Sequence, residues 1–170
     1  MKITAMVLFF LLAMLLQTTV FSALPILGSY PDLVTVLVVN LGILNGRLEG
    51  AWLGFVAGLL RDLLVGRFVG LNAVVLALVG FTAGAATRPL YRDNYVVPCF
   101  FTVLGTWLGR SLVLVGMVLF GKAVPWNLQI VRFIGISGLY SAMITLIIYR
   151  WLARLNEHII YWDEVVRRTR

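Results

Sequence analysis

The chain has 170 residues, of which 61% are hydrophobic and 12% charged; 14 Lys and Arg face 7 Asp and Glu, for a net charge of +7. Its mean hydropathy is +0.99, and a soluble domain would carry about a quarter charged residues. The charges are also clustered, since 3–31, 68–87 and 133–149 contain none; such runs, apolar on every side, fit the interior of a bilayer and not one soluble core. The composition therefore describes a polytopic membrane protein. A single cysteine (Cys99) and a single histidine (His158) exclude a disulfide framework and the usual zinc and haem ligand sets. The positive charge is explained by helix orientation, without nucleic acid.

Six apolar segments follow in chain order. The first, Ile3 to Leu24, is long enough to span and lacks a small-residue cleavage site, so it reads as a retained helix and not a signal peptide. A loop with Pro25 and Pro31 leads to Asp32, the expected N-cap of a second segment, Leu33 to Asn45. Asn45 to Glu49 reads as a turn. The third segment runs from Gly50 to Gly66 and the fourth from Val69 to Thr87, with Asn72 as a candidate cap near its start. A polar loop with Pro89 precedes the fifth, Tyr95 to Phe120, and the sixth runs from Asn127 to Leu152. The second and third segments reach only about 20–25 Å against a hydrocarbon core of about 30 Å, as short spans or as a hairpin that returns to one side. Residues 1–152 form the membrane domain on this reading. Residues 153–170 form a cytoplasmic amphipathic tail whose Arg167, Arg168 and Arg170 face the membrane surface.

With the N-terminus inside, Lys2, Arg47, Arg88, Arg92, Arg150, Arg154, Arg167, Arg168 and Arg170 fall on the cytoplasmic side. Only Arg67 and Lys122 fall clearly outside. That is the bias of the positive-inside rule, and it places both termini in the cytoplasm. Trp126, Trp151, Tyr161 and Trp162 lie at expected interfaces.

Glycine spacing is the first specific feature. Gly42, Gly46, Gly50, Gly54 and Gly58 recur every four residues, and Gly66/Gly70, Gly80/Gly84 and Gly105/Gly109 repeat the interval. Four-residue spacing bares one helix face to close backbone approach. Such a face serves either packing within one bundle or docking of a partner's helix. For docking, the candidate residues are Gly50, Gly54 and Gly58, with Gly80, Gly84, Gly105 and Gly109.

Four charges lie inside apolar segments: Arg61, Asp62, Arg110 and Arg132. Each costs about 2.5–3.5 kcal/mol at a helix centre on insertion scales. Helix rise puts Asp62 and Arg110 about 18–22 Å above the cytoplasmic ends, with Arg132 at a similar height. One charged layer is therefore expected, with Asp62–Arg110 as its ion pair. Three arginines against one aspartate leave the layer positive, calling for an anion: a partner carboxylate, an acidic ligand or a lipid phosphate. No Ser/His/Asp set, phosphate loop or metal spacing appears, so neither an enzyme nor a cofactor is expected.

Several of these residues carry a resemblance. Gln17-Thr18-Thr19, Pro31-Asp32-Leu33, Glu49-Gly50-Ala51-x-x-Gly54-Phe55-x-Ala57-Gly58-Leu59-Leu60-x-Asp62 and Gly70-Leu71-Asn72-Ala73 with Val79-Gly80-Phe81-x-Ala83-Gly84 are similar to the rod-shape-determining MreD family. The specific match spans about residues 17 to 84; beyond it the likeness is one of hydropathy. Arg61 and Arg67 add charge where the family often carries less. The resemblance implies a six-helix fold, similar to the substrate-binding subunits of energy-coupling-factor vitamin transporters. It also implies a non-enzymatic role in cell-wall elongation at the bacterial inner membrane. Its implied partners are the bitopic protein MreC and, with it, MreB, RodA and the elongation transpeptidase. A substrate-binding subunit of a vitamin transporter is the alternative that the shared fold suggests.

Overall fold

The structure, a computed structural model, describes residues 2–23, 25, 28–65, 70–86, 96–121 and 127–168. They form six helices: α1 (Lys2–Ala23), α2 (Leu33–Asn45), α3 (Arg47–Val65), α4 (Leu71–Ala85), α5 (Val96–Leu119) and α6 (Leu128–Arg168). Every expected segment has its helix, and the described residues contain no strand. Gly66, Arg67, Arg88, Pro89, Arg92, Lys122, Trp126 and Arg170, all singled out above, lie outside the described residues.

The centre of the bundle is α2. Its residues from Leu33 to Ile43 are all buried, and it touches each of the other five helices. The cause is legible in its composition: Leu-Val-Thr-Val-Leu-Val-Val-Asn-Leu-Gly-Ile has no polar face to offer a solvent, so it is stable only when surrounded. Its β-branched residues are indifferent helix formers, and tertiary burial overrides that preference. At 13 residues it is about 20 Å long.

The turn from α2 to α3 is tighter than the expected Asn45–Glu49 stretch. Gly46 alone makes it, at φ 95°, a left-handed conformation that costs glycine little. Its N–H donates to the Gly42 carbonyl at 2.8 Å. Arg47 then opens α3, and Glu49 falls in its first turn, where a negative charge suits the helix dipole.

Two helices are long and apolar enough to cross a bilayer by length and composition, Val96–Leu119 and Leu128–Arg154. They pack on one another as an antiparallel hairpin, with Gly138 admitting the Trp107 indole. The boundary expected after Leu152 is not a break in the helix. No Gly or Pro occurs between Leu139 and Arg168, so nothing stops the helix there, and α6 runs on unbroken for 41 residues, about 60 Å. Residues 153–168, with Arg167 and Arg168 at their end, continue α6 instead of forming a separate tail helix.

Candidate functional site

The glycine ladder is used inside the chain. A side chain at Gly50 would strike the Gly80 carbonyl, one at Gly54 the Leu76 carbonyl, and one at Gly58 the backbone of Asn72 and Ala73. From the other helix, Gly80 lies on Gly50 and Gly84 on Gly46 and Arg47. These five glycines bring α3 and α4 into backbone contact, the closest packing in the bundle. Gly105 faces Val79 and Val39, and Gly109 faces Val75. Of the two uses that the spacing allows, the geometry realises packing within the bundle; the face of Gly50, Gly54 and Gly58 is covered by α4 and has no room for a helix from outside.

The α3–α4 register brings Asp62 to the start of α4, and this displaces the expected Asp62–Arg110 pair. Asp62 is buried and accepts four hydrogen bonds. The Gly70 and Ala73 N–H groups donate to Oδ2 at 2.8 and 3.2 Å. The Asn72 N–H and Nδ2 donate to Oδ1 at 3.3 and 2.7 Å. The first N–H groups of a helix have no partner within it. Gly70, the residue at the cap position (φ 103°), brings no side-chain hydrogen bond, so the neighbouring helix supplies the carboxylate. Asn72 is accordingly a donor to Asp62 and not the cap itself.

Arg61, one residue earlier, points elsewhere and pairs with Asp32. Its Nη1 donates to both carboxylate oxygens, at 3.1 and 3.3 Å. Asp32 is the N-cap expected for α2, accepting from the Thr35 N–H at 3.2 Å. Its own N–H donates to the Ser141 hydroxyl at 2.9 Å. The acid that pairs with Arg61 is thus Asp32, expected above only as a cap. The hairpin register held the signal: Gly42 lies against Gly50, and counting outward from that contact puts position 32 opposite 60 and 61.

Arg110 joins the same group from α5. Its Nη2 donates to the Tyr30 carbonyl at 3.3 Å, beside the Ser137 hydroxyl, which donates to that carbonyl at 2.7 Å. The guanidinium carbon stands 4.7 Å from the centre of the Phe133 ring, within cation–π range. The Arg110 Nε is buried and has no hydrogen-bond partner among the described residues. Arg132 does not belong to the group. It is exposed, and the 100° step between adjacent helix residues separates it from Phe133, which does face the cluster.

Asp32, Arg61 and Arg110 border a cavity of about 270 Å³. It lies at the end of the bundle where α2, α4 and α6 begin. Thr35 and Asn72 complete its polar side, and Val113, Leu114, Ile130 and Ile134 make much of the rest. Two guanidinium groups share one carboxylate there, so the described lining carries one excess positive charge. The arrangement suits binding of a negatively charged group. Among the described residues no cluster of His, Cys, Asp and Glu could hold a metal ion.

A protein-family model described as rod shape-determining protein MreD matches residues 1–160. No curated protein and no solved structure matches the chain. The match takes in all six helices short of the last turns of α6, so the chain belongs to the MreD family, membrane proteins that determine rod shape.

Proposed function

We propose that this member of the MreD family is a non-enzymatic scaffold of the cell-wall elongation machinery. On this reading it holds the transmembrane helix of the bitopic protein MreC in the bacterial inner membrane. Through MreC it positions the synthase, in a larger complex with RodA, the elongation transpeptidase and MreB. Both its termini lie in the cytoplasm. The observation that carries the reading is the family match over residues 1–160. Because α4 covers the glycine ladder of α3, the partner helix docks instead on the outward sides of the third, fourth and fifth helices. Large apolar side chains are exposed there: Phe55 and Leu63 on α3, Leu78 and Phe81 on α4, Phe100 and Leu104 on α5.

The test is photo-crosslinking in native membranes from Phe55, Leu78 and Leu104, with Leu12 on α1 as the comparison site. A crosslinked bitopic protein from the first three positions, absent from Leu12, is the expected result. Crosslinks from Leu12 alone, or no protein crosslinked at all, would overturn the docking surface. Co-purification of ATPase and coupling subunits would move the chain to the vitamin transporters.

A further inference from the structure

The charged cavity has a neighbour. A second hollow of about 670 Å³ lies between α5 and α6, lined by Trp107, Val115, Val131 and Gly135 among others. Leu114, Ile130 and Ile134 line both spaces. The two guanidinium groups and a largely apolar groove thus stand on either side of the same three side chains. Val115, Val131 and Trp107 along it are exposed on the outside of the bundle, where a membrane protein meets acyl chains.

We infer that this site binds one anionic phospholipid. Its headgroup phosphate sits between Arg61 and Arg110, and an acyl chain lies along Leu114, Ile130 and Ile134 in the groove. Three observations make the occupant an anionic amphiphile. The described lining holds two arginines to one carboxylate, and the excess charge in a site of low polarity favours an anion. The Arg110 Nε is buried without a partner among the described residues. Arginine offers five donors, of which the described contacts use one, to Tyr30; a phosphate oxygen supplies the missing acceptor, in a charge-assisted bond. The groove beside the cavity is largely apolar, with Ser111 and Asn127 as its polar members, so a small water-soluble anion would leave it empty while a hydrocarbon chain fills it. The site is independent of which protein the scaffold holds.

The test uses the full chain, purified in a neutral detergent and depleted of lipid. Phosphatidylglycerol, phosphatidylcholine and glycerol phosphate are each added back and read by native mass spectrometry. Phosphatidylcholine carries the same phosphate but adds a trimethylammonium cation, which the excess positive charge of the lining repels, so phosphatidylglycerol should be retained at least about tenfold over it. Arg110→Gln should remove that preference, whereas Arg132→Gln, outside the cavity, should keep it. Arg110→Gln could instead unfold the bundle, so Ile134→Trp provides a second route: it blocks the groove with every charge in place and should lose the lipid. Equal retention of the two lipids, persistence of phosphatidylglycerol in Ile134→Trp, or glycerol phosphate binding as tightly as the lipid would each overturn the proposal. So would a partner protein whose acidic side chain crosslinks to Arg110 and excludes phosphatidylglycerol.

Discussion

The two flanks of α3 solve the same problem in opposite ways. Toward α4, Gly50, Gly54 and Gly58 remove side chains until backbones touch. Toward α2, near its C-terminal end, α3 carries Arg61, which needs a carboxylate from Asp32 to be tolerated. The first contact is made of dispersion and needs no charge. The second holds space and an unbalanced charge. Stability is concentrated where nothing else can fit, and a capacity to bind remains where the bundle is not filled.

The largest effect that separates the two flanks should come from the glycine seam. Gly54→Leu drives a side chain into the Leu76 carbonyl and the following peptide. No rotamer relieves a clash that begins at Cβ, so α3 and α4 must separate. A loss of more than about 4 kcal/mol is expected, in the range seen only for severe core disruption. Thermal unfolding in detergent would show it as a collapsed transition. A variant that melts like the parent would mean the seam is looser than described. The same substitution is unsuitable for mapping a partner, because it would abolish docking by unfolding the chain.

Asp62→Ala comes next. It strands the Gly70, Asn72 and Ala73 N–H groups that now share one carboxylate. Each buried donor left without a partner costs about 1–3 kcal/mol where water cannot reach it. Of the three only the Ala73 N–H bond is buried, and lost helix capping is about 1 kcal/mol, so a total of about 2–4 kcal/mol is expected. Asp62→Asn keeps an acceptor oxygen and should recover part of it. If alanine and asparagine destabilise equally, the carboxylate is not acting as the cap of α4. Asp32→Ala should cost at least as much, about 3 kcal/mol, since it removes a cap and leaves Arg61 without its counter-ion. Restoring neutrality with Arg61→Met in the same chain should return part of that loss, read as a double-mutant cycle.

These substitutions also mark where sequence reasoning reached and where it stopped. The number of helices was legible, because long charge-free runs and Gly or Pro punctuation leave little choice, while α3 opens at Arg47, three residues before the expected Gly50. The end of α6 was not legible, since a change from apolar to charged composition reads as a domain boundary although the backbone ignores it. At the site, Arg61 and Arg110 were legible as charges inside apolar segments with too few acids. Their true counter-ion was hidden by its position, because Asp32 precedes an apolar segment and has an adequate explanation as a cap. Depth along the membrane normal brought Asp62 and Arg110 to one level but carried no azimuth. Rotation about the helix axis, set by the glycine contacts between α2, α3 and α4, decides which of two adjacent residues faces which neighbour.

The same missing azimuth explains the smallest expected effect. Arg132 sits at the height computed for the charged layer, yet its side chain is exposed while Phe133 turns inward to Tyr30 and Arg110. An arginine near a helix end can carry its guanidinium to the interface along its own hydrocarbon stem, so its charge need not be neutralised by the bundle. Arg132→Ala should therefore shift stability by no more than about 0.5 kcal/mol, the range for a surface position. Phe133→Ala, one residue away, should cost about 3 kcal/mol or more as ring packing and the Arg110 contact are lost together. Melting temperatures of the two variants measured side by side would test this asymmetry. Equal losses would restore Arg132 to the layer and undo the distinction between a charge that is merely at the right depth and one that faces the cavity.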